Sequence, residues 1–122
     1  MGKINSFEDL IVWGKSIDLS VEIYKLTSKF PKDEIFGLTA QIRRASNSVS
    51  LNISEGSVKS TATFINQLTH ANGSANEVLS GSILAVRLGF IRSDDLNKLR
   101  LIIEEVTKML NSLISTLNKR KN

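Results

Sequence analysis

The sequence lacks cysteine altogether, and only one of its 122 residues is a proline. Without cysteine the chain has no disulfide framework, no thiolate nucleophile and no cysteine-ligated metal site. One proline and 7 glycines leave few points at which a helix or strand must stop, so the composition favours long uninterrupted elements. Aromatic residues make up 6% of the chain, too few to predict sequence-specific reading of nucleic acid by stacked bases.

Long apolar runs are also missing. No stretch approaches the roughly 20 apolar residues that cross a bilayer, and the N-terminus MGKINSFEDL lacks the apolar centre of a signal peptide. A chain of 122 residues fits one domain, of a size at which burial against a partner subunit adds to stability. We therefore expect a single domain over residues 1–122, located in the cytoplasm and without membrane contact.

Patterns for catalysis and metal binding are scarce as well. His70 is the only histidine, and Glu77 follows it two turns later, too far for direct contact on one helix. The Glu-x-x-His pairs of metal-binding helical bundles do not occur, and no glycine-rich phosphate loop carries the required lysine. We expect no catalytic residue, no metal and no cofactor, and therefore no enzymatic activity.

The sequence does contain apolar residues spaced three and four apart. This period predicts four α-helices, over residues of about 7–28, 34–55, 62–88 and 94–118. Ser6 and Ser60 are placed to cap the first and third helices, while Gly56 and Gly89 are expected to end the second and third. Long helices joined by short turns favour an all-α fold, an antiparallel up-down-up-down four-helix bundle.

The first predicted helix carries two apolar faces. One face holds Leu10, Trp13, Ile17, Val21 and Tyr24. A helix at the edge of a monomeric bundle needs only one such face, so the second indicates contact with another subunit. We assign the roughly opposite face to an oligomer interface, with deeper burial inside the same bundle as the alternative. That face consists of Val12, Leu19, Ile23 and Leu26.

Small and polar residues cluster on the second and third helices, where they favour close approach of the two. Polar side chains buried between helices need hydrogen-bond partners on the facing helix. We expect a structural hydrogen-bond network here rather than a catalytic site. Its predicted members are Asn47, Asn52, Glu55, His70 and Asn72.

The formal net charge is +4, with a pI near 9.6, and a basic tail supplies most of the excess. A basic helix C-terminus suits the helix dipole and solubility as well as it suits phosphate binding, so both explanations stay open. Arg43 and Arg44 are likewise either solvated arginines or phosphate contacts that neutralise a backbone without reading bases. The candidate nucleic-acid-binding residues are Arg43, Arg44, Lys59, Lys119, Arg120 and Lys121.

Several short patterns span nearly the whole chain and resemble one protein family. They include Phe7, Leu10, Trp13, Tyr24, Phe30-Pro31, Glu34, Leu38, Gln41, Ile42, Arg43-Arg44, Ser48, Asn52, Ile53, Glu55-Gly56, Ala71, Gly73-Ser74 and Glu77. This set is similar to the four-helix-bundle proteins encoded in intervening sequences of bacterial 23S ribosomal RNA genes. Related proteins are the accessory variability determinants of diversity-generating retroelements.

The resemblance implies a four-helix bundle that assembles into a ring, with a homopentamer expected. In the retroelement proteins, the resemblance implies a basic assembly that binds both nucleic acid and a reverse transcriptase. The role of most other family members is unsettled. The chain departs from the family pattern where Val58 and Lys59 replace an expected glycine and arginine, and where Thr63 replaces an acidic residue. Losing the arginine weakens the expected basic patch.

Two functions follow as hypotheses. The first is a non-enzymatic oligomeric scaffold that contacts the RNA or DNA backbone, with avidity from several copies. The second is a protein-interaction module that docks onto a partner such as a reverse transcriptase, without nucleic-acid contact.

Overall fold

A computed structural model describes the backbone of residues 6–121 and the side chains up to residue 120. Within this range the chain forms helices and no strand. Two short 3-10 turns, Phe7–Asp9 and Lys32–Glu34, precede the first and second long helices. The four α-helices are α1 (Ile11–Thr27), α2 (Leu38–Gly56), α3 (Thr61–Arg87) and α4 (Ser93–Lys121).

The helices pack as neighbours around a square. Contacts join α1 to α2, α2 to α3, α3 to α4 and α4 to α1, whereas the diagonal pairs do not touch. Short connections reverse the chain direction between successive helices. This arrangement confirms the predicted antiparallel up-down-up-down four-helix bundle.

The start of the first helix differs from the prediction. Ser6 does act as a cap, since its Oγ accepts a hydrogen bond from the Glu8 amide at 3.2 Å, but it caps only the 3-10 turn. Leu10 then has an extended backbone, with φ −80° and ψ 120°, which separates the turn from α1. The Phe7 ring packs edge-on against Trp13 at a centroid distance of 5.1 Å and holds the turn against α1.

The second helix begins at Leu38, four residues later than predicted. Glu34 supplies the reason, because its Oε1 accepts a hydrogen bond from the Leu38 amide at 3.0 Å. The side chain that was predicted to open the helix instead satisfies one of the free amides at the helix start.

The two glycines expected to end helices behave differently. Gly89 has φ +79°, and the amides of Gly89 and Phe90 donate back to the carbonyls of Val86 and Ala85, which closes α3. Gly56 does not have a positive φ, so its predicted left-handed role is wrong. A Cβ at Gly56 would lie 2.8 Å from Phe64 Cδ1, so the position needs glycine because α3 passes close by.

The core runs the length of the bundle and takes one face from each helix. The regular apolar series predicted for α4 is confirmed, with its members buried or half-buried against the other helices. Three serines are fully buried, and each of their hydroxyls donates to a carbonyl of its own helix: Ser16 to Trp13, Ser46 to Arg43 and Ser82 to Val78. These bonds allow polar side chains to be buried at little cost.

Candidate functional site

The two apolar faces of α1 exist, but the sequence assigned them the wrong way round. The four residues predicted for the oligomer interface, Val12, Leu19, Ile23 and Leu26, are each at most 5% exposed and lie in the subunit's own core. Because they are covered within one chain, they cannot form the surface between subunits. On the opposite face of α1, which looked like the core, Leu10 and Trp13 pack against the edge of the core, Ile17 is half-buried, and Val21 and Tyr24 are exposed.

Two hydrogen bonds between α1 and α2 fix how their outer surfaces line up. The Asn47 amide donates to the Tyr24 hydroxyl at 2.9 Å, and Arg43 Nε donates to Thr27 Oγ1 at 2.8 Å. The helices are antiparallel, so positions earlier in α1 face positions later in α2. Val21 therefore lies level with Leu51.

These positions form an apolar strip that we call the α1–α2 face. Its exposed members are Val21 at 49%, Leu51 at 60% and Val58 at 81%, and half-buried Trp13 and Ile17 continue it. The strip covers two to three helical turns, roughly 12 Å of helix length. Exposed apolar patches of this kind mark interaction surfaces on soluble proteins.

Arg43 lies at the end of this face nearer the α1–α2 connection, and two contacts hold it in place. Its Nε is bonded to Thr27, and its guanidinium carbon lies 4.5 Å from the centroid of the Tyr24 ring. Thr27 Oγ1 is in turn bonded to the Ile23 carbonyl at 2.7 Å. Arg43 is thus a fixed link between α1 and α2 as well as a surface cation.

Arg44 points to the other side of α2, where a groove separates α2 from α3. This α2–α3 groove is lined near Arg44 by Gln41, Ser48, Ser74 and Glu77. Arg44 is exposed, and among the described residues no carboxylate lies within 4 Å of it. The two adjacent arginines therefore serve different surfaces.

The remaining predicted cations lie at the opposite end of the bundle. Lys59 follows α2 and precedes α3, while Lys119 and Arg120 end α4, and all three are exposed. The side chain of Lys121 lies outside the described residues. At 1.5 Å per residue, the length of α2 puts roughly 20 Å between Arg44 and Lys59, so the cations form two groups and not one stripe.

The five predicted members of the polar network do not form one network. Asn47 bonds to α1, as described above, and Asn52 bonds within its own helix to the Ser48 carbonyl and hydroxyl. Asn72 turns to α4, where its amide donates to Asn111 Oδ1 at 2.9 Å. His70 is exposed beside the α2–α3 groove. Asn47, Asn52 and Asn72 therefore make hydrogen bonds, but not across the α2–α3 pair on which the prediction was based.

Two other contacts join α2 to α3. Ser74 Oγ donates to Ser48 Oγ at 3.0 Å, and Gln67 Nε2 donates to Glu55 Oε1 at 3.2 Å. Glu55 is the one predicted network member that bonds across this pair. The sequence signal for the contact between Ser48 and Ser74 was the presence of small residues on both helices. Hydroxyls of adjacent helices can meet only where the side chains are small.

One ion pair is present among the described residues. Lys15 Nζ lies 2.9 Å from Glu105 Oε1 and ties α1 to α4. The hydrogen bond to Glu105 and the charge of that carboxylate raise the pKa of Lys15 above its ordinary value, with a smaller effect from Asp18. Both side chains are well exposed, so the pair adds little to stability.

Residues 6–120 contain no cluster of three or more His, Asp or Glu side chains that could hold a metal ion. Within the same residues, no helix combines the length and apolar character needed to cross a bilayer.

Comparison with known proteins agrees with this architecture. The family model described as 23S rRNA-intervening sequence protein matches residues 8–112. The chain belongs to this family. The resemblance to the 23S rRNA-intervening sequence proteins, drawn from the sequence, is confirmed. The relation to the retroelement proteins stays a prediction.

A solved structure supports the same conclusion. The chain is similar to a protein of unknown function from the S23 ribosomal protein family of Bacteroides thetaiotaomicron, with 30% sequence identity and a TM-score of 0.78. The similarity covers 85% of this chain and 98% of that one. A search of curated protein sequences finds no match.

Proposed function

We propose that this 23S rRNA-intervening sequence protein is a non-catalytic, self-assembling scaffold whose oligomer binds the nucleic-acid backbone. The observation that carries the proposal is the α1–α2 face. A chain of this size gains stability by covering such a strip, and a second copy of the same chain is the simplest cover.

The shape of the bundle favours a small closed ring. With helices at the corners of a square, the outward directions of the α1–α2 and α2–α3 sides differ by about 90°. When two sides about 90–110° apart meet head to tail around an axis parallel to the helices, the ring closes after four or five copies. The α2–α3 side also carries exposed apolar side chains, Leu84 and Leu88, but these lie near the start of α2, roughly 20 Å along the helix axis from the level of Leu51. A right angle between the two sides closes the ring with four copies, and the expected pentamer requires the sides to be about 108° apart.

Nucleic-acid contact rests on the exposed cations. Arg44, Lys59, Lys119 and Arg120 have no carboxylate within 4 Å among the described residues, so their charges are available to phosphates. Each subunit offers only a few such charges, and the ring multiplies them. Binding by this mechanism is sensitive to salt and indifferent to sequence.

A salt titration tests the nucleic-acid part of the proposal. We expect a mixed-sequence oligonucleotide of RNA or DNA to bind at 50 mM salt and to lose roughly tenfold or more in affinity by 200 mM, because even two phosphate contacts produce that slope. Neutralising the tail with Lys119→Gln and Arg120→Gln should flatten the slope. Absence of binding at 50 mM salt would remove nucleic acid from the proposal.

A second candidate function is a docking module for a partner protein such as a reverse transcriptase. It is favoured by an apolar cluster at the end of the bundle near the α1–α2 connection, where Phe36 is 94% exposed beside Leu84 and Leu88. Under this alternative the assembly forms but binds no oligonucleotide at low salt, and Phe36→Ser abolishes capture of the purified partner.

A further inference from the structure

The Arg43 guanidinium is held in a fixed position, and only its Nε has a hydrogen-bond partner in the described part of the chain. Its Nε is bonded to Thr27 Oγ1 at 2.8 Å and one side of the group stacks on Tyr24 at 4.5 Å, so neither the position nor the plane of the guanidinium is free. The two Nη atoms make no hydrogen bond to the described part of the chain. They are also not among its buried unpartnered atoms, so they face solvent. This edge is the fork that binds two oxygens of a phosphate.

Tyr24 adds an aromatic surface beside that fork. Arg43 lies over the ring, yet the residue stays 42% exposed, and its hydroxyl is held by Asn47 at 2.9 Å. Val21 continues the apolar surface one turn earlier. A held aromatic ring next to a phosphate-binding fork matches the two parts of a nucleotide, since a base stacks on the ring and the phosphate pairs with the guanidinium.

We infer that Tyr24, Arg43 and Asn47 form a nucleotide-binding site that selects single-stranded over double-stranded nucleic acid. The bases of a duplex are stacked on one another and cannot reach Tyr24, whereas an unpaired base can. The inference deepens the proposed function, on which it rests, by naming the form of nucleic acid bound. The site adds a contact that selects single strands, whereas the other cations attract the phosphates of single strands and duplexes alike.

The site adjoins the α1–α2 face at the end nearer the α1–α2 connection. Tyr24 lies one turn beyond Val21 along α1, roughly 4.5 Å from it along the helix axis, and Asn47 lies one turn before Leu51 on α2. The margins of protein interfaces are polar and open to water. A ring would therefore place one such site at the edge of each contact between copies.

Competition between oligonucleotides of equal length, one single-stranded and one duplex, tests the inference on the full chain. Tyr24→Leu removes the ring and should weaken single-strand binding roughly 5- to 100-fold while changing duplex binding less than about twofold. Tyr24→Phe keeps the ring but loses the hydrogen bond from Asn47, so it should keep the preference for single strands and bind them more tightly than Tyr24→Leu. Arg43→Lys keeps the charge but loses the fork, so it should weaken single-strand binding while preserving the salt slope.

Matched controls come from exposed positions elsewhere in the chain. Phe36→Leu repeats the aromatic-to-leucine change, and Arg87→Lys repeats the change of cation on α3; neither should alter the preference for single strands. Melting curves identify variants that fail to fold. For the unchanged protein, photo-crosslinking of an oligonucleotide containing 5-bromouridine should label the peptide that contains Tyr24.

The outcomes separate the inference from the proposed function. Salt-dependent binding that is equal for single strands and duplexes, or that survives Tyr24→Leu, would overturn the nucleotide site and leave the scaffold proposal intact. Failure of the unchanged protein to bind either oligonucleotide at 50 mM salt would overturn both. A single-strand preference that is lost in Tyr24→Leu but kept in Phe36→Leu supports the site.

Discussion

Small side chains lie where α2 and α3 meet, the helix pair with the most extensive contact among the described residues. Gly56 leaves room for Phe64, and a Cβ at Gly81 would lie 2.8 Å from Ile42 Cγ1. The 3.0 Å contact between the hydroxyls of Ser48 and Ser74 lies between these two positions. Each of these residues is small because a neighbouring helix occupies the space that a larger side chain would need.

Glycine substitutions test this explanation at single residues. Gly56→Ala should lower the free energy of unfolding by about 1–3 kcal/mol, since the buried Phe64 ring cannot move away from the added methyl group. Gly73→Ala is the control, because it lies in the middle of α3 with nothing within 4 Å of the added Cβ. It should raise the free energy of unfolding by about 0.5–1 kcal/mol. Urea denaturation measures both, and stabilisation by Gly56→Ala would contradict the packing argument.

At the scale of elements, α1 determines which surfaces the molecule offers. Its buried face includes Ser16 and Thr27, whose hydroxyls are satisfied by the carbonyls of Trp13 and Ile23. Its outward face carries Val21 and half-buried Ile17. The helix is therefore less apolar on its buried side than a simple pattern suggests, and more apolar outside.

Truncations on the two sides of α1 should separate the core face from the surface. Leu19→Ala empties a fully buried site and should cost about 2–5 kcal/mol of unfolding free energy. Ile11→Ala removes a side chain that is 72% exposed and should change stability by no more than about 0.5 kcal/mol. Equal costs for the two variants in denaturant titrations would contradict the burial of Leu19 in the subunit's core.

The sequence predicted helix type and number because the spacing of three and four recurs through all four helices. It also revealed that α1 has two apolar faces, but it could not rank them. Trp13 and Tyr24 looked like core residues because their side chains are large and aromatic. Ser16 and Thr27 are polar, so the face that contains them looked less like a core. The start of α2 was missed because the bond from the Leu38 amide to Glu34 is a feature of geometry.

For the candidate site as well, the sequence predicted some residues but not the contacts between them. Arg43 was found from its charge, but its partners lie on α1, and their proximity depends on the register between two helices. No local pattern contains that register. The predicted network failed for a related reason, since Asn47 and Asn72 face helices other than the pair on which the prediction was based.

At the scale of the whole molecule, the apolar α1–α2 face and the exposed cations belong to one proposal. Assembly covers the apolar strip and gathers cations from several chains, so a weakly basic subunit becomes a strongly basic ring. The net charge of +4 per chain is modest alone and is multiplied by every added copy.

A charge placed on the α1–α2 face should separate assembly from folding. Leu51→Glu puts a carboxylate at the centre of the strip and should give monomers that still fold, because the side chain is already exposed, but that lose the stability which assembly adds. Leu101→Glu makes the same change at an exposed position on α4, away from the strip, and should leave the assembly intact. Size-exclusion chromatography distinguishes the two. Equal behaviour of both variants would argue against this face as the contact between copies.

The central claim is self-assembly through the α1–α2 face, and the mass of the unchanged protein in solution tests it most directly. Sedimentation equilibrium across the micromolar range should give a discrete assembly of about five times the 13.5 kDa chain mass. A mass of 13.5 kDa at every concentration would contradict the account.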